Sequence, residues 1–238
     1  MSRPFSHLHC HTQWSLLDGQ SRPEDMAAKA ADSGQAAVAI TDHGNMFGLY
    51  HFASACGREG VKPILGCELY LVADRHKQKF SRKEGERDVR YHQLALAMTH
   101  EGYRNLSRLC SIGYLEGKYS GYPRVDKDAI ARHSAGVAFT TCCIGGEVPQ
   151  AIIRGDLAEA RRLVKWWVDL VGRERYFVEL QRHKGLEDID GLGVSQEDVT
   201  QELIKIAREM DLRTSQPADG GGQRELRPVL AEQLCAFA

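Results

Sequence analysis

The chain has 238 residues, 42% apolar and 26% charged, which is the composition of a folded soluble protein with one large core or two small ones, and excludes a disordered chain. A formal net charge of −1 provides no bulk attraction to nucleic acid, so any phosphate-binding surface has to be local. No apolar run is long enough to span a bilayer, the start lacks the regions of a signal peptide, and seven cysteines without C-x-x-C spacing fit a reduced, cytoplasmic setting with no membrane partner.

In chain order, residues 4–9 read as a strand, and Ser21-Arg22-Pro23-Glu24 as a capping box opening a helix to about Ser33. Ala36 to Ile40 is an apolar run of strand length, followed by a helix near Gly48–Glu59 and a strand from Lys62 to Val72. Arg75 to Arg90 carries seven Lys/Arg against three acidic residues, an exposed loop by its composition, with a phosphate-contacting arm as the sharper alternative. His92 to Met98 reads as a strand, Glu101–Leu115 and Asp126–His133 as helices, and Val137–Thr141 as a strand. Asp156–Val171 is an amphipathic helix, Tyr176–Leu180 a strand and Ser195–Met210 a helix. From Arg213 the tail has no convincing strand where the alternation requires one. Buried-looking strands alternating with helices predict parallel pairing and an α/β barrel, whose C-terminal rim is where active sites form.

The residues able to do chemistry gather where these strands end. Five of the ten histidines fall within the first 51 residues, in His7-Leu8-His9-Cys10-His11 and Asp42-His43 for the most part. On an extended segment alternate side chains point the same way, so His7, His9 and His11 are expected to face together. His9, His11 and His43 are the strongest metal-ligand candidates, because neutral imidazole is the commonest metal ligand. His7 suits a residue that orients a ligand or packs beneath it, Asp42 either a ligand or a partner holding His43 in one tautomer, and Asp18 in Leu17-Asp18-Gly19 either a ligand or a turn residue. Glu68 sits inside the apolar run Ile64-Leu65-Gly66-Cys67-Glu68-Leu69-Tyr70, where a carboxylate is costly unless paired or coordinated. His92 opens an apolar strand, Cys143 ends one in a Gly-rich turn, and His183 lies just beyond another as a weaker candidate. Mixed imidazole, carboxylate and thiolate donors from several strands point to a site of two or three cations and to phosphoester hydrolysis. No P-loop, nucleophile elbow or dinucleotide fingerprint competes.

At these residues the chain resembles the polymerase and histidinol phosphatase (PHP) family. The resemblance is carried by His7-Leu8-His9-Cys10-His11-Thr12, Ser15-Leu16-Leu17-Asp18-Gly19 and Ile40-Thr41-Asp42-His43-Gly44-Asn45-Met46-Phe47-Gly48. Lys62-Pro63-Ile64-Leu65-Gly66-Cys67-Glu68, Gly102-Tyr103-Arg104-Asn105-Leu106, Cys143-Ile144-Gly145-Gly146-Glu147 and Arg175-Tyr176-Phe177-Val178-Glu179-Leu180 make it nearest to the form that begins bacterial DNA polymerase III alpha subunits. It covers roughly residues 3–212.

The resemblance implies a distorted (β/α)7 barrel with a centre of two to three divalent ions of zinc, manganese or iron. It assigns ligand positions to His9, His11, Asp18, His43, Glu68, His92 and Cys143. It further implies a 3′–5′ exonuclease-type activity within a replicative polymerase, with DNA and the other holoenzyme subunits as partners.

Two departures matter. The family's final Asn-Asp-x-His motif is absent, since Asn45 and Asn105 are the only asparagines and no histidine follows His183. Residues 213–238 are therefore expected to be a divergent tail, from a truncated or frame-shifted gene product, on a PHP domain of residues 1–212 that lacks its last strand or strands. The polymerase catalytic portion is absent too. The alternatives are a free-standing PHP phosphatase acting on a small phosphate ester and a non-catalytic docking module.

Overall fold

The computed structural model describes residues 5–16, 18–81, 83, 85–183 and 185–214. They form an α/β fold that divides into two compact units, one reaching Val137 and the other beginning at Ala138.

The first unit is built on β2 (Lys62–Val72), which pairs in parallel with β1 (Ala37–Ile40), in antiparallel with β3 (Tyr91–Ala97) and in parallel with β4 (Arg124–Asp126). The all-parallel expectation fails at β2 and β3. A parallel return needs a crossover helix, whereas the chain between them is the charged 75–90 arm, so β3 comes back antiparallel. The segment at 5–11 is not a regular strand; it lies beside β1 through Ala39 N–H donating to His7 O (2.8 Å) and Thr41 N–H to Cys10 O (2.9 Å).

Helices α1 (Pro23–Asp32) and α2 (Leu49–Glu59) cover β1, with Ala27, Ala30, Phe52, Ala55 and Cys56 meeting Val38 and Ile40 in one buried cluster. The capping box expected at Ser21 does not form: Arg22 is the cap residue, without a side-chain bond, and Pro23 opens the helix. Helix α3 (His100–Leu115) is capped by the Thr99 hydroxyl accepting from Gly102 N–H, and α4 (Lys127–Arg132) by the Asp126 carboxylate accepting from Ala129 N–H. Neither the short β4 nor its Arg124 stands out in the sequence.

In the second unit, β5 (Val137–Thr140), β6 (Tyr176–Val178) and β7 (Arg213–Thr214) run parallel, with α5 (Glu147–Ile153), α6 (Leu157–Val171) and α7 (Gln196–Glu209). Helix α5 begins directly after the turn at Gly145-Gly146, which the sequence presents only as a Gly-rich turn. The strand missing from the sequence reading is present as two residues: Thr214 pairs with Val178, so the sheet continues past 212. The tail from residue 215 lies outside the described residues. Among the described residues no helix is long and apolar enough to cross a membrane.

Candidate metal centre

Glu68 is the hub of the first unit's polar site. Its side chain is 1% exposed on β2, and three imidazoles close around it: His9 Nε2 at 2.6 Å from Oε2, His43 Nδ1 at 2.7 Å and His92 Nδ1 at 2.9 Å from Oε1. His11 Nε2 stands 3.8 Å from Oε2. Four elements converge here. His9 and His11 come from the 5–11 segment, His43 from the end of β1 through an isolated bridge to Glu68, and His92 from β3, opposite Tyr70 in register. Gly44, at φ +64°, lets the chain turn away at once; a Cβ there would meet Pro123 Cγ at 2.6 Å and Tyr70 Cε2 at 3.1 Å.

Asp18 reaches the cluster from its loop, with Oδ2 3.0 Å from His43 Nε2. The structure thus brings six of the expected ligands together: His9, His11, Asp18, His43, Glu68 and His92. Asp42 sits elsewhere in the circuit. It accepts from Thr12 N–H (2.6 Å), the Thr12 hydroxyl (2.7 Å) and the Ser15 hydroxyl (2.6 Å), so it anchors the loop between His11 and Asp18. His43 N–H donates to the same Ser15 hydroxyl (3.1 Å), which couples the loop to the second histidine cluster. The His7 ring packs edge-on against Phe5 at 4.7 Å. An irregular segment held by two backbone bonds does not enforce a strand's alternation.

The electrostatics suit a cation. Burial alone would push the Glu68 carboxyl up, but hydrogen bonding from His43, His9 and His92 outweighs it and holds the group well below the usual carboxylate range. Burial pushes His11 down to about 4, so its imidazole is a neutral donor at pH 7. For His43, burial is opposed by Glu68 and Asp18, which together raise its pKa. His11 stacks on His43 (4.1 Å, 14°), and ligand atoms of His11, His43 and Glu68 lie within 4.8 Å of one another. A buried carboxylate among imidazole electron-pair donors is a donor set a divalent cation would complete.

Tyr70 escapes sequence reading. Two residues beyond Glu68 on β2, its ring lies 6.0 Å from that of His43 and 5.8 Å from that of His92. Burial, then Glu68, push its phenol up to about 12, so it remains a neutral hydroxyl. The available signal is its place at i+2 from a buried strand carboxylate.

The remaining candidates belong to the second unit. Cys143 follows β5 in a tight turn, where its carbonyl accepts from Gly146 N–H (2.9 Å) and Cys142 takes φ +63°. His183 is exposed, with its Nε2 3.0 Å from Gln181 Oε1. Glu179 is buried and accepts from the Thr140 hydroxyl (2.6 Å) and the Gln181 amide (2.6 Å).

Compared with known proteins, residues 7–183 match the model of the PHP domain family. The chain is 42% identical over 185 residues to the DNA polymerase III subunit alpha of Treponema pallidum, covering 77% of this chain and 15% of that protein. It is 40% identical over 222 residues to the corresponding subunit of Thermus aquaticus, covering 91% of this chain and 17% of that protein. The chain therefore spans only about a sixth of the length of these curated relatives. In fold it is similar to an amidohydrolase from Chromobacterium violaceum solved with bound sulfate and no metal, with a TM-score of 0.53, 16% identity and coverage of 96% of this chain and 95% of that one.

Proposed function

We propose, for a chain that belongs to the PHP domain family, a metal-dependent phosphoesterase centre acting on DNA as part of a replicative polymerase alpha subunit. The observation that carries this reading is the buried Glu68 carboxylate enclosed by His9, His43 and His92 at 2.6, 2.7 and 2.9 Å. His9, His11, Asp18, His43, Glu68 and His92 would hold two to three divalent ions of zinc, manganese or iron, and the family motif gives Cys143 the same task. Such ions, when bound, supply an acidified water near neutral pH and offset charge on a phosphoryl group. The protein's own part is to set the donors. Asp42 fixes the Thr12–Ser15 loop, Glu68 orients three rings, and Tyr70 offers a protonated hydroxyl beside them.

The similarity to DNA polymerase III alpha subunits supports DNA and the other holoenzyme subunits as partners, a cytoplasmic setting and a 3′–5′ exonuclease type of reaction. Nucleotidyl transfer is not assigned to these 238 residues, because the matching region is about a sixth of the relatives' length. Residues 1–212 form the PHP domain in this reading and 213–238 a divergent tail.

Metal content of the purified chain, with hydrolysis of bis-p-nitrophenyl phosphate and of a 3′-labelled single-stranded oligonucleotide, tests the proposal. His9→Ala combined with His11→Ala is expected to lose bound metal and both activities. Hydrolysis that survives the double change belongs to another site and overturns the reading. Turnover confined to small monoesters would instead favour a free-standing phosphatase.

A further inference from the structure

A path of rings leads from the metal centre to the charged arm. Tyr122 meets Tyr70 edge-on at 5.0 Å, and the Arg90 guanidinium lies 3.8 Å over the Tyr122 ring. Tyr122 is held by a two-residue turn, with Tyr119 N–H donating to Tyr122 O (3.0 Å) and Tyr122 N–H to Tyr119 O (2.9 Å). Ser120 at φ +49° and Gly121 at φ +90° give it the hand of a type I′ turn, a rigid mount for the tyrosines on either side. Tyr122 thus faces Tyr70 beside the ligands. Tyr119 lies 5.2 Å from Phe80 and, with it, walls a cleft of about 570 Å³ under the arm.

The charges of this cleft are sorted. Glu86 accepts from Lys77 Nζ (2.6 Å) and Ser81 N–H (2.9 Å), while Asp88 accepts from Arg124 Nη1 (2.8 Å) and Arg90. Both acids are thereby answered from within the fold. Arg87, exposed on the lining, has no acidic partner among the described residues, so the cleft presents a cation beside two aromatic rings. Aromatic faces take any base, and a free guanidinium suits a phosphodiester backbone. A small phosphate ester would occupy the metal centre alone and leave this track unused.

We infer that the cleft between the arm and the Tyr119–Tyr122 turn binds a base of single-stranded DNA whose cleaved phosphodiester lies at the metal centre. This rests on the phosphoesterase reading above and adds Tyr119, Tyr122 and Arg87 as the residues that position a strand. Tyr119 stacks a base, Tyr122 carries the chain of rings toward Tyr70, and Arg87 holds the backbone.

Fluorescence anisotropy on the full 238-residue chain, in chelator, with an oligo(dT) and an abasic oligomer of equal length tests this without turnover. The abasic strand is expected to bind roughly fivefold or more weakly, the lower end for losing one base–aromatic stack. Tyr119→Ala should weaken oligo(dT) by a similar factor and leave the abasic strand unchanged, while Tyr119→Phe keeps the wild-type preference. Arg87→Ala, an exposed change that cannot empty a core, should weaken both strands and lower the salt slope by about one. Equal binding of the two oligomers by the wild type, or an Arg87→Ala chain with unchanged affinity and slope, overturns the inference. Failure of the phosphoesterase reading would show instead in the wild type's metal content and bis-p-nitrophenyl phosphate turnover.

Discussion

The first unit holds two buried charged clusters that solve the same problem in opposite ways. Around β4, Arg124 is fully buried and gives its guanidinium to Asp88 (2.8 Å), Gly117 O (2.8 Å), Arg75 O (3.1 Å) and Lys77 O (2.9 Å). Arg75 beside it meets Asp126 at 2.7 Å and Glu116 at 2.8 Å. Around Glu68 the groups that close in are imidazoles, with the Asp18 carboxylate behind His43. Where the chain brings its own countercharges the cluster is architecture, here pinning the 75–90 arm to β4 and the end of α3. Where it brings only electron-pair donors, the positive charge is left for a ligand.

The sharpest way to break this contrast is to remove one charge from each. Arg124→Met leaves Asp88 to Arg90 alone and takes the donor from three carbonyl acceptors, and should cost about 3–5 kcal/mol of unfolding free energy in urea melts, with no rescue by added metal. A loss below about 1 kcal/mol would make the network ornamental. Glu68→Gln keeps the side chain's shape but loses the charge that three imidazoles answer, and should cost about 1.5–3 kcal/mol of metal-free stability while weakening zinc at least about a hundredfold by calorimetry. A variant that binds zinc as the wild type does would remove Glu68 from the centre. Ser15→Ala takes one donor from Asp42 and one acceptor from His43 N–H, for a loss near 1 kcal/mol in the same melts.

The smallest expected effect is in acid. Burial opposes it, but Ala129 N–H and Arg75 hold Asp126 below its ordinary pKa of 3.8. A carboxyl whose folded pKa is depressed contributes stability above its unfolded value and loses it as pH falls through the folded one. Stability should therefore fall below about pH 4, and Asp126→Asn should flatten that part of the profile in chelator-treated protein. An unchanged acid limb would assign it to other carboxylates.

How much of this was readable in advance follows from what each residue announces locally. His9, His11, His43 and Glu68 were legible because imidazoles at alternate positions and a carboxylate in an apolar run are costly without a shared purpose. Asp18 and His92 were legible only in their company. The role of Asp42 was not, because its neighbour His43 is one residue away while its partners Thr12 and Ser15 are about thirty residues off, and only folding shows which of these it serves. The contact of His7 with Phe5 is equally silent in the sequence, because the 5–11 segment lacks the ladder that imposes a strand's alternation. The antiparallel β3 was hidden because the 75–90 arm reads as a loop of unknown span, and a loop does not declare the direction of the strand after it. Arg124 looked like any surface arginine, since burial of a cation depends on acceptors contributed by residues 75, 77, 88 and 117.

The placement of the donors on β2 and its neighbours also has a meaning in time. All six that meet in the first unit come from residues 9–92, ahead of the second unit's start at Ala138. At synthesis rates of roughly 5–20 residues per second, the whole donor set leaves the ribosome within about 5–20 s of its first member. These donors can therefore gather before the second unit has been made, so the order of synthesis and the order of assembly run the same way.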